Sequence, residues 1–411
     1  MSLFVVSVLL LPVGACGIWD DPLLWSLDGR TISGGESVRP TVWATGPTLA
    51  ITRARDVTGY DAATGEPRWT VPLSGKVCAA SPRPAGGRVA VQFGRGRPGC
   101  DRVALIDLKT GRKVWEQPII PADRVVRGQA VISAGAVVVD WLYGTAAFRL
   151  DDGRPLWNVD SHRVDCAFQG LAGGPVLVAG RSCDADKLKV RRVEGLDPNT
   201  GRALWSYDAP LGYVVEAMVS TRPVVLGLRR DERRRRVSRF VVLNASGAQV
   251  TSIDVGFKSA LNCSVPQPYS RCGNIVVTGD SLYVRSGDRP GNDDEKQKFA
   301  PIVSYDLATG RARWTTENPD GNHLFPIAMD GDRLIAAQPA TAGEGGKAPR
   351  LVSVDAATGK TSIMWSLTRK ADFRLRSGSD RQYAQGRFFL TKKLVTGKEK
   401  VALRAYGNTD E

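Results

Sequence analysis

The sequence predicts an all-β fold, an eight-bladed β-propeller of four-stranded antiparallel blades, with a seven-bladed propeller as the alternative. Three observations favour it: a strand–turn–strand phrase that recurs along the chain, a second hairpin before copies of that phrase, and separate strand patterns near the two ends. Helical periodicity is essentially absent from the 411 residues. We assign residues 17–411 to a single propeller domain and residues 1–16 to a signal segment.

The recurring phrase is an apolar strand ending in Asp, a turn with Gly, and a strand that carries Trp. Asp starts turns by bonding to the backbone that follows it, and Gly supplies the positive φ of a tight hairpin. The spacings of 42 to 63 residues suit four short strands and their turns. The turn glycines are Gly65, Gly111, Gly153, Gly201, Gly247, Gly310 and Gly359.

The two ends of the chain predict how the ring closes. Seven phrases predict seven blades, and a further hairpin follows at residues 386–393 and 399–406. Residues 23–29 resemble an outer strand with its Trp but have no strands of their own. Joining the ends forms an eighth blade without an open sheet edge. We expect the outer-strand tryptophans to act as wedges between blades; they are Trp25, Trp69, Trp115, Trp157, Trp205, Trp314 and Trp365.

These phrases resemble the pyrroloquinoline-quinone (PQQ) repeat family, whose hallmark is the AxDxxTGxxxW strand–turn–strand. Quinoprotein alcohol dehydrogenases and BamB-type assembly lipoproteins belong to that family. The resemblance spans roughly residues 40–406 and implies the propeller fold, while the activity stays open. In the dehydrogenases it would also imply a calcium-bound PQQ, a catalytic carboxylate and a disulfide between adjacent cysteines. This chain has no adjacent cysteines.

The first residues predict export. The apolar run from Leu3 to Pro12 is shorter than the roughly 20 residues of a membrane span but suits a signal peptide. Residues 13–16, Val-Gly-Ala-Cys, look like the lipobox of bacterial lipoproteins, so we expect acylation of Cys16. An uncleaved anchor, or a signal cut elsewhere, is the alternative.

The other six cysteines form three local pairs, each within one repeat unit. An even set of local pairs in an exported chain predicts disulfides, here Cys78–Cys100, Cys166–Cys183 and Cys263–Cys272. Zinc binding is the competing interpretation. The chain has no CxxC motif, and His162 and His323 are its only histidines. We therefore predict no metal site and no cofactor.

Positive charge gathers in one class of loop. The chain has 56 basic and 42 acidic side chains, a net charge of +14. The connections from the second to the third strand of a blade emerge on one face, and most of these are long and basic. This basic rim would attract an anionic partner; the alternative is a set of ordinary solvated hairpin tips. Its predicted members are Arg95, Arg97, Lys187, Lys189, Arg229, Arg230, Arg233, Arg234, Arg235 and Arg236.

We predict a non-enzymatic, monomeric scaffold, exported and lipid-anchored at the extracytoplasmic side of the cell envelope. It would bind an anionic protein segment or an envelope polymer, with no nucleic acid partner. The resemblance to BamB-type lipoproteins suggests a part in envelope protein assembly. The alternatives are a PQQ-dependent oxidoreductase and a carbohydrate-active enzyme, the latter with clustered acids as catalysts. The acids near inner strands or loops are Asp123, Asp140, Asp165 and Glu216, and none is predicted to be catalytic.

Overall fold

The computed structural model describes most of the propeller. No helix among the residues it describes is long and apolar enough to cross a membrane. The described residues are 22–94, 99–120, 128–141, 144–160, 166–183, 189–231, 237–255, 274–286, 289–290, 298–317, 323–340, 346–367 and 379–408. Cys16, the signal segment and the predicted pair Cys263–Cys272 lie outside them.

The first half of the chain contains one short helix and four complete blades. Strand β1 (Leu23–Leu27) and helix α1 (Gly29–Ser33) come first. Blade 1 holds β2 (Val42–Thr45), β3 (Thr48–Thr52), β4 (Asp56–Asp61) and β5 (Pro67–Pro72); blade 2 holds β6 (Lys76–Ala80), β7 (Arg88–Gly94), β8 (Arg102–Asp107) and β9 (Arg112–Pro118). Blade 3 holds β10 (Gln129–Ser133), β11 (Ala136–Trp141), β12 (Gly144–Arg149) and β13 (Pro155–Asp160); blade 4 holds β14 (Ala167–Ala172), β15 (Leu177–Ser182), β16 (Arg192–Leu196) and β17 (Ala203–Asp208).

The second half adds four blades and a small ribbon. Blade 5 holds β18 (Tyr213–Thr221), β19 (Val224–Arg230), β20 (Arg239–Leu243) and β21 (Gln249–Asp254). Blade 6 holds β22 (Ile275–Val277), β23 (Ser281–Arg285), β26 (Ile302–Asp306) and β27 (Ala312–Thr315), with the ribbon β24 (Arg289–Pro290) and β25 (Lys298–Phe299) inserted. Blade 7 holds β28 (Phe325–Asp330), β29 (Arg333–Gln338), β30 (Arg350–Asp355) and β31 (Thr361–Ser366); blade 8 holds β32 (Ser379–Ala384), β33 (Arg387–Lys392), β34 (Leu403–Tyr406) and β1.

The eight-bladed prediction is confirmed, and the seven-bladed alternative is excluded. Each blade is a four-stranded antiparallel sheet. The first strands of neighbouring blades contact one another, as β28 does β32 and β32 does β2, so these strands surround the propeller axis. Among the described residues, the buried apolar side chains form eight clusters, one at each boundary between adjacent blades. The core is therefore a ring of sheet-to-sheet interfaces.

The two ends meet in blade 8, as the sequence predicts. Strand β1 is the outermost strand and pairs antiparallel with β34, Leu27 opposite Leu403. The Trp25 ring lies 6.3 Å from the rings of both Tyr60 in blade 1 and Phe389 in blade 8. Its Nε1 donates to the carbonyl of Ala62 at 3.1 Å. The N-terminal strand therefore joins blade 8 to blade 1.

Helix α1 is a feature that the sequence pattern did not predict. Its five residues are too few to show a helical period. The carboxylate of Asp28 accepts a hydrogen bond from the Thr31 backbone N–H at 2.6 Å, which caps the helix. Gly34 ends the helix in the left-handed conformation, with φ 60°. Local capping, without a periodic apolar face, is enough to form this single turn.

The outer-strand tryptophans pack on the turns of the next blade. Trp115 Nε1 donates to the Leu150 carbonyl at 2.8 Å, and Trp314 Nε1 to the Ala356 carbonyl at 2.9 Å. Where a turn glycine lies against an indole there is no room for a side chain: a Cβ on Gly111 would overlap Trp69. Blade 5 has no tryptophan, and its Thr251 lies beneath Gly310 instead.

Candidate functional site

The propeller has two chemically different faces. We call one of them the loop face. In each blade, the first strand begins and the second strand ends at this face. The connections between second and third strands and the links between blades therefore lie there. The other is the turn face, which carries the Asp-containing turns. The Asp61 carboxylate accepts hydrogen bonds from the backbone N–H of Thr64 and Ala63 and from Arg68, which together lower its pKa to about 2. The same bonding lowers the pKa of Asp107, Asp197, Asp306 and Asp355.

Two of the three predicted disulfides are confirmed, and both brace the loop face. Cys78, in β6, is bonded to Cys100 in the β7–β8 connection, with Cα atoms 5.8 Å apart. Cys166, just before β14, is bonded to Cys183 in the β15–β16 connection, with Cα atoms 4.1 Å apart. Each bond ties the start of a first strand to a long connection, which restricts the loops that would contact a ligand.

Of the predicted basic rim, Lys189, Arg229 and Arg230 lie among the described residues. Lys189 Nζ lies 3.2 Å from Asp231, which also pairs with Arg191 at 2.5 Å. The remaining predicted members lie outside the described residues: Arg95, Arg97, Lys187, Arg233, Arg234, Arg235 and Arg236.

Arg229 differs from its neighbours because it faces the interior. Its Nε donates to Glu216 at 2.6 Å, and the two side chains are 14% and 8% exposed. Strand residues alternate in direction, so Arg229 turns inward toward β18 while Arg230 is exposed at the strand end. Removing either partner of a buried ion pair leaves an uncompensated charge. Arg229 is therefore part of the structural support beneath the face.

An apolar side chain accompanies this group of charges. Leu211, in the link from blade 4 to blade 5, is 99% exposed. The backbone of the adjacent Gly212 accepts a hydrogen bond from Asp231 N at 2.8 Å. Leu211 therefore lies next to the charged group that contains Lys189 and Arg191. The boundary between blades 4 and 5 offers cations and an apolar contact together.

The family of the chain follows from its sequence match. The family model described as "Outer membrane protein assembly factor BamB" matches residues 17–185, 99–256, 137–316 and 192–405, which together cover nearly the whole chain. The chain belongs to this BamB family. The sequence matches none of the curated proteins.

Solved structures share the fold of this BamB-family chain. BamB from Moraxella catarrhalis superposes with a TM-score of 0.51 at 12% identity, over 91% of this chain and 98% of that one. Quinohemoprotein alcohol dehydrogenase from Comamonas testosteroni superposes with a TM-score of 0.53 at 14% identity, over 97% of this chain and 77% of that one. The computationally designed Ika8 protein gives a TM-score of 0.55 at 13% identity, over 94% and 99%. At these identities the likeness shows the fold alone.

The dehydrogenase neighbours raise the question of a calcium-bound quinone, and the described residues of this BamB-family chain do not fit that group. Calcium is held by six to eight oxygen ligands, mainly carboxylates and carbonyls. Within the described ranges, no three His, Cys, Asp or Glu side chains are grouped to hold a metal ion. The two disulfides there join residues 22 and 17 positions apart.

The four candidate acids have different positions in the structure. Asp123 and Asp165 lie outside the described residues, and Glu216 is the partner of Arg229. Asp140, the penultimate residue of β11, is 7% exposed and accepts a hydrogen bond from the Thr145 hydroxyl at 2.7 Å. Burial raises its pKa to about 7, opposed by that bond. Asp140 is therefore a buried carboxyl that titrates near neutrality.

We expect stability to fall as pH rises from about 4 to about 7 because of Asp140. The pKa of Asp140 is about 7 in the folded chain, against the ordinary value of 3.8 in the unfolded chain, so only the folded chain holds the proton in this window. The free energy of unfolding should fall by about 2–4 kcal/mol across it from this group. Asp140→Asn keeps the acceptor for Thr145 and should remove that fall, measured by urea unfolding at pH 4 and pH 8. Parallel pH dependence in both proteins would contradict the assignment.

The structure contains a second group of cationic residues that the sequence did not predict. It consists of Asn274, Arg285, His323, Phe325 and Arg381, and we call it the arginine cluster. His323 is one of the two histidines of the sequence, and the other, His162, lies outside the described residues. The five positions come from three blades and share no local motif. Only the packing of the three blades brings the five residues together.

Proposed function

We propose that this BamB-family chain is a non-enzymatic, exported, monomeric scaffold whose loop face binds an acidic segment of an envelope protein. The observation that carries the proposal is the concentration of basic residues in the second-to-third connections, which all emerge on that face. Family membership and the two disulfides support an extracytoplasmic role in envelope protein assembly. Acylation at Cys16 would anchor the chain to a membrane.

A protein partner suits this face better than a purely ionic polymer. Leu211 and Ile120, both in inter-blade links on the loop face, are 99% and 67% exposed. Protein interfaces combine apolar anchors with a polar rim, whereas an ionic polymer needs cations alone. The Cys78–Cys100 and Cys166–Cys183 disulfides reduce the ordering cost of binding because they hold the loops in place beforehand.

The decisive test is crosslinking in the native envelope with a variant that removes rim charge. The variant changes Arg230, Arg233, Arg234, Arg235 and Arg236 to Ser, and it spares Arg229 because that residue neutralises buried Glu216. We expect wild type to capture a defined acidic protein and the variant to lose most of this product. Capture should also weaken as salt rises, since exposed charges are screened.

A matched control places the same kind of change on the other face. Arg112, Arg154, Arg202 and Arg311 each follow a turn glycine and are exposed on the turn face. Changing these four to Ser should leave capture intact. If the control abolishes capture while the rim variant retains it, the binding face is the turn face and the proposal is wrong. Titration with PQQ and calcium, followed by absorbance, tests the oxidoreductase alternative separately.

A further inference from the structure

The arginine cluster lies where three blades meet at the loop face. Phe325 is the first residue of β28, the axial strand of blade 7. Arg285 is the last residue of β23 in blade 6, and Arg381 is the third residue of β32 in blade 8. Second strands end and first strands begin on the loop face. The fold therefore brings all three side chains to that end of the axis.

Phe325 holds both guanidinium groups. The Cζ atoms of Arg285 and Arg381 each lie 4.7 Å from the centre of its ring. Attraction between a cation and the ring face holds each guanidinium group beside the ring. Two cations that share one phenyl ring repel each other, and the ring cannot neutralise either of them. Phe325 therefore brings two guanidinium groups from different blades to one aromatic ring.

Hydrogen bonds fix the remaining orientations. Arg381 Nη2 donates to Asn274 Oδ1 at 2.9 Å, so this side chain extends from blade 8 past blade 7 to blade 6. Arg285 Nη2 lies 3.1 Å from His323 Nδ1. A guanidinium has no acceptor, so Nδ1 accepts and His323 is the neutral tautomer protonated on Nε2. Asn274 Oδ1 and His323 Nδ1 are therefore neutral acceptors of hydrogen bonds from the two guanidinium groups.

Arg381 retains unused bonding capacity. Its Nη1 atom is buried and has no hydrogen-bond partner among the described residues. Burial lowers the pKa of Arg381 to about 10; Asp380 opposes this shift and Arg285 adds to it. A buried donor without an acceptor is costly. Arg381 and His323 are partly exposed, so a ligand can approach this side of the cluster.

We infer that the arginine cluster is a binding site for the carboxylate of an acidic side chain in the partner's segment. The planar fork of a guanidinium, here that of Arg381, matches the two-oxygen geometry of a carboxylate. Such a ligand would supply an acceptor to Arg381 Nη1 and reduce the repulsion between Arg285 and Arg381. This inference rests on the proposed function, because it locates on the loop face the point at which an acidic segment is held.

The test is binding of a fluorescein-labelled hexaglutamate peptide to the purified chain, followed by anisotropy at low salt. Arg381→Gln should weaken binding about tenfold, as expected for the loss of one charge-assisted hydrogen bond. The control Lys398→Gln/Lys400→Gln removes two exposed charges from the β33–β34 connection on the same face and should change affinity less than twofold. Equal weakening by both variants would mean that the peptide senses only overall charge, and the site would be refuted.

Thermal unfolding of the peptide-free protein distinguishes a structural role of Arg381 from a role in binding. Because Arg381 has a buried, unbonded donor, Arg381→Gln should unfold at the same temperature as wild type or higher. If it unfolds earlier, Phe325→Leu provides the second test: it keeps an apolar core residue but removes the ring, and it should weaken the peptide about threefold. Wild-type affinity in Phe325→Leu would then overturn the inference.

The remaining outcomes distinguish this site from the rim. Peptide binding that is lost in the Arg230/Arg233–236 variant but normal in Arg381→Gln refutes the cluster and leaves the scaffold proposal standing. Loss in Arg381→Gln with normal native crosslinking by the rim variant refutes the rim and keeps the cluster. Competition separates ligand chemistries: glutarate should displace the peptide, and displacement by inorganic phosphate alone would overturn the carboxylate assignment.

Discussion

Deleting residues 22–28 is expected to destabilise the whole propeller cooperatively, by about 5 kcal/mol or more. The deletion removes β1, which exposes the edge of β34. It also removes Trp25, which contacts Tyr60 and Phe389 on the two sides of the boundary between blades 8 and 1. Trp25 is partly buried, so its loss should add somewhat less than the about 3–5 kcal/mol that truncation of a fully buried tryptophan costs. The measurement is the thermal unfolding temperature, by circular dichroism, of the deleted and full-length chains.

Complementation provides the control for this deletion. A synthetic peptide of residues 22–28 contains β1 and should restore the unfolding temperature when added to the deleted chain. The same peptide with Trp25→Ala should restore little, since it pairs with β34 but leaves the boundary unfilled. An unchanged unfolding temperature in the deleted chain would show that β1 does not close the ring.

Gly111→Ala is expected to cost about 3 kcal/mol or more, from two causes. Gly111 has a φ of 66°, which penalises any residue with a Cβ by about 1–2 kcal/mol. Its added Cβ would also overlap the Trp69 indole, and overpacking of this kind typically costs about 1–3 kcal/mol. Urea unfolding of the variant at neutral pH measures the sum.

The chain contains a matched glycine that isolates the two causes. Gly135 has a φ of 87°, yet a Cβ there would meet nothing within 4 Å. Gly135→Ala should therefore cost only the conformational penalty. Introducing Gly111→Ala into a Trp69→Ala background should likewise cost no more than Gly135→Ala, because the indole is gone. Equal costs for Gly111→Ala and Gly135→Ala in the wild-type background would contradict packing of Trp69 on the turn.

The blades were predictable because most of them repeat the same local turn between two strands. Asp61 and Gly65 form their turn from residues within a few positions of each other, so the chemistry is visible in a short window. Closure was predictable for a related reason: Trp25 lay in an outer-strand pattern that lacked partner strands, and residues 386–406 lacked an outer strand. Because one end has an outer strand without partners and the other has strands without an outer strand, the two ends can complete one blade together.

The arginine cluster was not predictable, because its geometry is not local. Arg381 and Asn274 are hydrogen-bonded across 107 positions of sequence, and no spacing within one blade indicates that contact. Arg229 shows a second limit: sequence places it in a basic loop, but the strand extends through Arg230 and turns Arg229 toward Glu216. Charge pattern predicts which face is basic, and register decides which cations reach it.

The closure of blade 8 also fixes where the chain enters the propeller. Leu23 pairs with Tyr406, at the turn-face end of β34, and Gly407 N donates to the Pro22 carbonyl at 2.9 Å. The six residue-to-residue steps from Cys16 to Pro22 span at most about 20 Å. An acyl group on Cys16 would hold the turn face toward the bilayer and direct the loop face into the aqueous compartment. A partner would then reach the basic residues of the loop face without competition from anionic lipid headgroups.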